Sequence, residues 1–122
     1  MDESIEGSCH CGRVTISISE QPEWLTRCNC SICRRYAALW GHVEISSVNI
    51  QAAEQATIAY THGEKALAFH SCRHCGCTTH WENLKPQEFS FMAVNFRMCA
   101  DEDIARFRIR DFDGADSWEF LD

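Results

Sequence analysis

The sequence has no apolar run approaching the roughly 20 residues that a membrane helix requires. Its N-terminus, MDESIEGSCH, lacks the basic and then apolar character of a signal peptide. Both absences point to a cytoplasmic protein with no membrane partner. Basic residues are also scarce, with 11 Lys and Arg against 18 Asp and Glu and a formal net charge of −7. A chain so acidic repels phosphate backbones, which argues against nucleic acid as a partner. Internal repeats, linkers and low-complexity segments are likewise absent, so the 122 residues read as one domain, 1–122.

What is present is a composition that folds: 45% hydrophobic, 11% aromatic and 24% charged. The nine cysteines are the outstanding feature. Their number is odd, no signal peptide precedes them, and they fall in C-x-C and C-x2-C pairs. Metal ligation explains this better than a disulfide framework.

The segment RVTISIS alternates Val14, Ile16 and Ile18 against Thr15, Ser17 and Ser19, the two-residue period of a half-buried strand. Similar strands are expected in HVEIS, TIAYT, ALAFH, EFSFMAVNF and ARFRIR, the last with Ala105, Phe107 and Ile109 facing one way. SICRRYAALWG breaks the pattern and predicts a short helix from a capping serine to Gly41. THGEK (61–65) and FDGAD (112–116) read as glycine turns, and Asp101 to Asp103 as a solvated loop. The fold class is therefore mainly β.

Cys9 and Cys11 open the first strand as CHC, and Cys72 and Cys75 form CRHC followed by a turn glycine, Gly76. Two such turns brought together by strand pairing supply the four sulfurs of a closed structural zinc site. His10 and His74 are rival ligands, each flanked by the sulfurs it would displace. Cys28, Cys30 and Cys33 form a third group, C-x-C-x2-C, which directs three thiolates to one side of a metal. Three protein ligands with one exchangeable position is the form of catalytic zinc sites. Closure by Cys77, Cys99, His70 or His80 would instead make this second site structural. Cys77 otherwise reads as a spare ligand or a packed thiol, and Cys99 as a buried one.

GSCHCGRVTISIS, CNCSICRRYAALW, FHSCRHCGCTTHW, VNFRM and RDFDGADSW occur in an order and spacing that resembles the glutathione-dependent formaldehyde-activating family, which includes centromere protein V. The resemblance runs from about residue 7 to about residue 118. It implies a β-tent fold related to zinc ribbons, with a short helical turn after the second cysteine cluster and two Zn2+ per chain. Carried over by position, Cys9, Cys11, Cys72 and Cys75 match the structural zinc ligands, and Cys28, Cys30 and Cys33 the catalytic ones. The implied activity is that of a carbon-sulfur lyase joining or cleaving a small thiol such as glutathione and an aldehyde such as formaldehyde. The sequence departs from better-known members after Cys33, where bulky Tyr36, Leu39 and Trp40 stand in place of a glycine-containing loop.

Arg34, Arg35 and Arg97 are candidates to pair with the carboxylates of such a thiol, against the alternative of solvated or structural ion pairs. His42 and His80 are candidate acids or bases. Trp24, Trp40, Trp81 and Trp118 read as core or pocket walls, and DFDGADSW as a turn with solvated Asp111 and Asp113. The rival reading is a non-catalytic two-zinc module that binds a protein partner. A third is a redox or metal-handling protein whose cysteines oxidise readily.

Overall fold

The computed structural model describes residues 4–61, 63 and 65–122, so His62 and Glu64 of the turn expected at 61–65 lie outside the described residues. The mainly-β expectation holds. A three-stranded antiparallel sheet has the order β1-β2-β5, with β1 at Ile5–Ser8, β2 at Thr15–Ile18 and β5 at Val48–Gln51. A seven-stranded sheet runs β10-β3-β4-β9-β8-β7-β6. Its strands are β3 (Leu25–Cys28), β4 (Trp40–Glu44), β6 (Thr57–Tyr60), β7 (Leu67–Cys72), β8 (Thr78–Asn83), β9 (Phe91–Asn95) and β10 (Ile109–Phe112). Its pairings are antiparallel except β10 with β3, which is parallel.

The alternation of β2 does what its period dictates: Ile16 and Ile18 are buried and cluster with Leu25, Val43 and Val94 of the larger sheet and with Leu39 and Phe96 beside it. One cluster thereby joins the two sheets, and each fully buried aliphatic side chain in it contributes about 1.5–3 kcal/mol. A second cluster packs Trp40, Phe69, Trp81 and Met92 against Cys33, and a third packs Val14 and Ala56 around Cys9 and Cys72. Each cysteine group thus has a foot in the core.

The helix expected over SICRRYAALWG is a single turn, α1 at Cys33–Tyr36. Ser31 does not cap it; the Cys33 amide donates to the Cys30 sulfur at 3.4 Å instead. Ala37 then takes the left-handed conformation at φ 53°, and Trp40 and Gly41 enter β4. Gly41 is no helix terminator. A Cβ there would lie 2.5 Å from the Phe96 ring, so glycine lets β4 pack against that side chain.

ARFRIR is also not a strand from its start. Asp101–Ala105 forms helix α2, whose first turn holds Asp101, Glu102 and Asp103, the charge that a helix N-terminus favours. Ile104 and Phe107 pack on the first cluster, and the strand begins only at Ile109. The acidic run is thus a helix start rather than a loop.

Candidate metal centres

Cys9 and Cys11 sit in the connection between β1 and β2, and Cys72 to Cys77 make the turn between β7 and β8. The two turns are built alike. The Gly12 amide donates to the Cys9 carbonyl, and the Val14 amide to the Cys9 sulfur; the Gly76 amide donates to the Cys72 carbonyl, and the His74 amide to the Cys72 sulfur. Gly76 has φ +81°, which only glycine adopts freely, so the turn expected after CRHC forms as its sequence requires.

The four sulfurs of Cys9, Cys11, Cys72 and Cys75 all lie within 4.8 Å of one another. Cys11 is 3.7 Å from Cys9 and 3.6 Å from Cys72. A tetrahedron with Zn–S bonds of about 2.3 Å has edges of about 3.8 Å, so the donor set fits zinc as it stands. His10 and His74 do not join it, and all nine cysteines are free thiols. Cys9 and Cys72 are buried, whereas Cys11 is exposed beside Arg13. The Arg13 backbone and guanidinium hold the Cys11 thiol below its usual range, and burial raises Cys9. Backbone amides of Cys77 and Cys11 bring Cys75 down to about 5.

Cys28 ends β3, Cys30 lies two residues on, and Cys33 starts α1; their sulfurs also lie within 4.8 Å of one another. Among the described residues no fourth His, Cys, Asp or Glu donor joins them. Cys77, Cys99, His70 and His80 are all described, and the closure that sequence spacing left open does not occur through any of them. Three sulfurs suit zinc with one position left for an exchangeable ligand.

The three thiols are electrostatically unequal. Cys28 is lowered to about 6, first by the hydrogen bond from Cys33 and further by the backbone amides of Cys30 and Gly114. Cys33 is pushed up by that same bond and by burial, while the Trp40 indole N–H, 3.4 Å from its sulfur, pulls the other way. The Cys30 and Gly114 amides are thus placed to stabilise negative charge on Cys28, and the Trp40 N–H to stabilise it on Cys33.

The segment after β10 is the part of the site that sequence reasoning missed. Because β10 runs parallel to β3, with Phe112 opposite Cys28, both strands end at one edge and the residues that follow them meet. The Asn29 backbone amide donates to the Phe112 carbonyl, its side-chain nitrogen donates to Asp113 at 3.1 Å, and its side-chain oxygen Oδ1 accepts from the Ala115 amide at 3.0 Å. Asp111, expected to be solvated, binds Arg27 at 2.6 and 3.1 Å. Asp113, expected likewise, accepts from Asn29 and from the Ser117 amide and hydroxyl. Trp118 is not a core residue: it is 70% exposed, with φ 61°, and its ring meets Phe112 edge-on. Trp40 and Trp81 are buried as expected.

Arg35 and Arg97 line one cavity of about 460 Å3, together with Tyr36, Cys77, Thr78 and Asn95. It lies between α1, which carries Cys33, and the turn that carries Cys75. Arg35 donates to the Ser31 carbonyl and Arg97 to the Ala37 carbonyl, which orients both guanidinium groups and leaves further N–H groups on each. Arg34, also exposed, is not part of that lining. Leu39 and Trp40 are buried in the core, so of the bulky residues after Cys33 only Tyr36 reaches the cavity. His80 is buried, stacked on His70 with ring centroids 4.6 Å apart, and hydrogen-bonded to Thr79. His42 packs edge-on to Trp81 and Phe91, and neither imidazole belongs to a cysteine group. A larger groove of about 640 Å3 on the outer face of the small sheet is lined by none of the clustered cysteines.

No protein of curated function matches the chain. A crystal structure of a Rhodobacter sphaeroides protein superposes with a TM-score of 0.70 at 25% identity, covering 86% of this chain and 99% of that one. The sequence profile of the glutathione-dependent formaldehyde-activating enzyme family matches residues 4–111, a span that includes both cysteine groups. No described helix is long and apolar enough to cross a membrane. By that match over most of its length, the chain belongs to the glutathione-dependent formaldehyde-activating enzyme family.

Proposed function

We propose that this single-domain chain is a two-zinc carbon-sulfur lyase that joins or cleaves a small thiol and a small aldehyde such as formaldehyde. The observation that carries the reading is the convergence of Cys28, Cys30 and Cys33 with no fourth protein donor among the described residues, in a member of this family. Zinc bound there favours the thiolate form of a thiol and polarises a carbonyl oxygen. Cys9, Cys11, Cys72 and Cys75 hold the other zinc, which ties the β1–β2 turn to the β7–β8 turn.

The remaining work falls to the chain's own groups. The Trp40 N–H and the Gly114 and Cys30 amides steady charge on the Cys33 and Cys28 sulfurs. Arg35 and Arg97 offer paired donors to the carboxylates of a thiol such as glutathione, from the cavity beside α1. A reducing compartment such as the cytoplasm keeps all seven ligands as thiols.

The rival reading, a zinc module that docks a protein, draws support from Trp118 and Leu121, 70% and 62% exposed near the C-terminus. Zinc X-ray absorption on purified protein, with and without glutathione, separates the two. The lyase reading expects two zincs per chain, a mean of about 3.5 sulfurs per zinc, and a light-atom ligand that added thiol replaces. All-protein coordination at both metals, indifferent to thiol, would sink it and turn the search to protein partners.

A further inference from the structure

The Asp113–Ser117 segment is held to the protein in an unusual way. It contributes no side chain to any of the three hydrophobic clusters, and Ala115, Asp116 and Ser117 are exposed. Apolar burial therefore does not hold it. Its hydrogen bonds instead converge on the Cys28-Asn29-Cys30 turn: Asn29 is gripped through both ends of its side-chain amide, by Asp113 and by the Ala115 amide. Asp113 is itself fixed by the Ser117 amide and hydroxyl, and its backbone exchanges hydrogen bonds with Trp118 and Glu119. These bonds keep Trp118 in the left-handed region at φ 61°, a conformation that a bulky residue holds only when its surroundings impose it.

The segment also passes against the sulfur itself. A Cβ built on Gly114 would lie 2.6 Å from the Cys28 sulfur and 3.2 Å from the Cys30 Cβ, and the Gly114 amide is among the donors to Cys28. The φ of Gly114 is not in the positive region, so the reason for glycine here is room beside the metal ligand and not the bend of the turn.

We infer that Asp113, Gly114 and Asn29 form a clamp that sets the position of the Cys28 sulfur, so that the three-cysteine site keeps its metal only while this loop is docked. Asn29 and Asp113 act as positioning residues, and Gly114 is the gap through which the loop reaches the sulfur. The inference rests on the reading that Cys28, Cys30 and Cys33 hold a zinc. Outer partners of metal ligands commonly change metal affinity by about 10- to 100-fold when removed.

The test is zinc release from the full, zinc-loaded chain to an excess of a chromophoric chelator, followed in time for wild type, Gly114→Ala and Asp113→Ala. Gly114→Ala adds an atom against the sulfur, whereas Asp113→Ala adds none and only opens the latch, so the pair covers a misfolding artefact in either. Wild type is expected to release two zincs in two phases, with Cys30→Ala lacking the phase that belongs to the three-cysteine site. Both loop variants should speed that phase at least about tenfold and leave the four-cysteine phase at its wild-type rate. Release at wild-type rates in both phases overturns the clamp while the two-zinc reading stands. Equal acceleration of both phases also overturns it, because the loop would then serve the fold and not Cys28. A single zinc per wild-type chain removes the underlying reading and the clamp with it.

Discussion

The indole nitrogen of Trp40 lies 3.4 Å from the Cys33 sulfur, both buried, so a strand residue supplies an N–H to the sulfur that opens α1. Trp40→Phe keeps an aromatic ring in the core and removes that donor. A hydrogen bond to a charged group contributes about 1.5–3 kcal/mol. The variant should stay folded but load the three-cysteine site at least about tenfold more weakly, measured by competition with a chelator of known affinity. Unchanged affinity would mean that the contact only packs the ring.

Cys72 and Cys30 should fail differently. Cys72 is 2% exposed in the cluster that joins the β1–β2 and β7–β8 turns. Structural zinc binds with about 10–16 kcal/mol, comparable to the whole stability of a small domain. Cys72→Ala is therefore expected to abolish the cooperative melt. Cys30→Ala, at a partly exposed position outside the sheets, should lower the melting temperature by only a few degrees and eliminate turnover. Equal loss of stability in the two variants would remove the distinction between a structural and a catalytic zinc.

Arg35 and Arg97 share a cavity that Arg34 does not line. If they bind the carboxylates of the thiol, Arg35→Gln and Arg97→Gln should each raise KM for the thiol about tenfold, the equivalent of about 1.4 kcal/mol, with little change in melting temperature. Arg34→Gln should leave KM near the wild-type value. A thiol without carboxylates should be insensitive to all three changes, and steady-state kinetics on the two kinds of thiol checks both points.

Burial first, and the neighbouring His70 second, lower His80 to about 3. Its unfolded value is about 6.5, so between those limits the unfolded chain binds the proton that the folded chain refuses. Stability attributable to His80 is therefore complete above about pH 6.5 and declines as pH falls toward about 3. His80→Gln should flatten melting temperature against pH over that window. Protonation of the thiolates affects both proteins, so the difference between their curves isolates the imidazole; parallel curves would contradict the assignment.

Both cysteine groups were legible because short-range spacing carries them: a C-x-C and a C-x2-C turn point their sulfurs inward wherever the turn sits. The strand β2 was legible because one of its faces meets water and the other the core. The strand β8 was not, since Thr78, Thr79, His80, Trp81 and Asn83 are all buried and no alternation survives burial on both faces. The helix expected from Ser31 is one turn because Ala37 takes the left-handed conformation and ends it, and its opening amide bonds the Cys30 sulfur where a serine cap was expected. Least legible was the contact of Asn29 with Asp113, 84 residues apart, which exists only through the parallel pairing of β3 with β10. FDGAD forms the turn expected of it, but Gly114 does not have the positive φ expected; a Cβ there would lie 2.6 Å from the Cys28 sulfur.

That parallel pairing also orders events in time. A chain emerging from the ribosome presents all four sulfurs of the Cys9, Cys11, Cys72 and Cys75 group once residue 75 is out, and the β7–β8 hairpin can follow at once. The three-cysteine turn is made much earlier in synthesis, whereas Asp113 follows Asn29 by 84 residues. Through that interval the Cys28, Cys30 and Cys33 thiols stand without the Asp113 and Gly114 contacts that flank them in the folded chain.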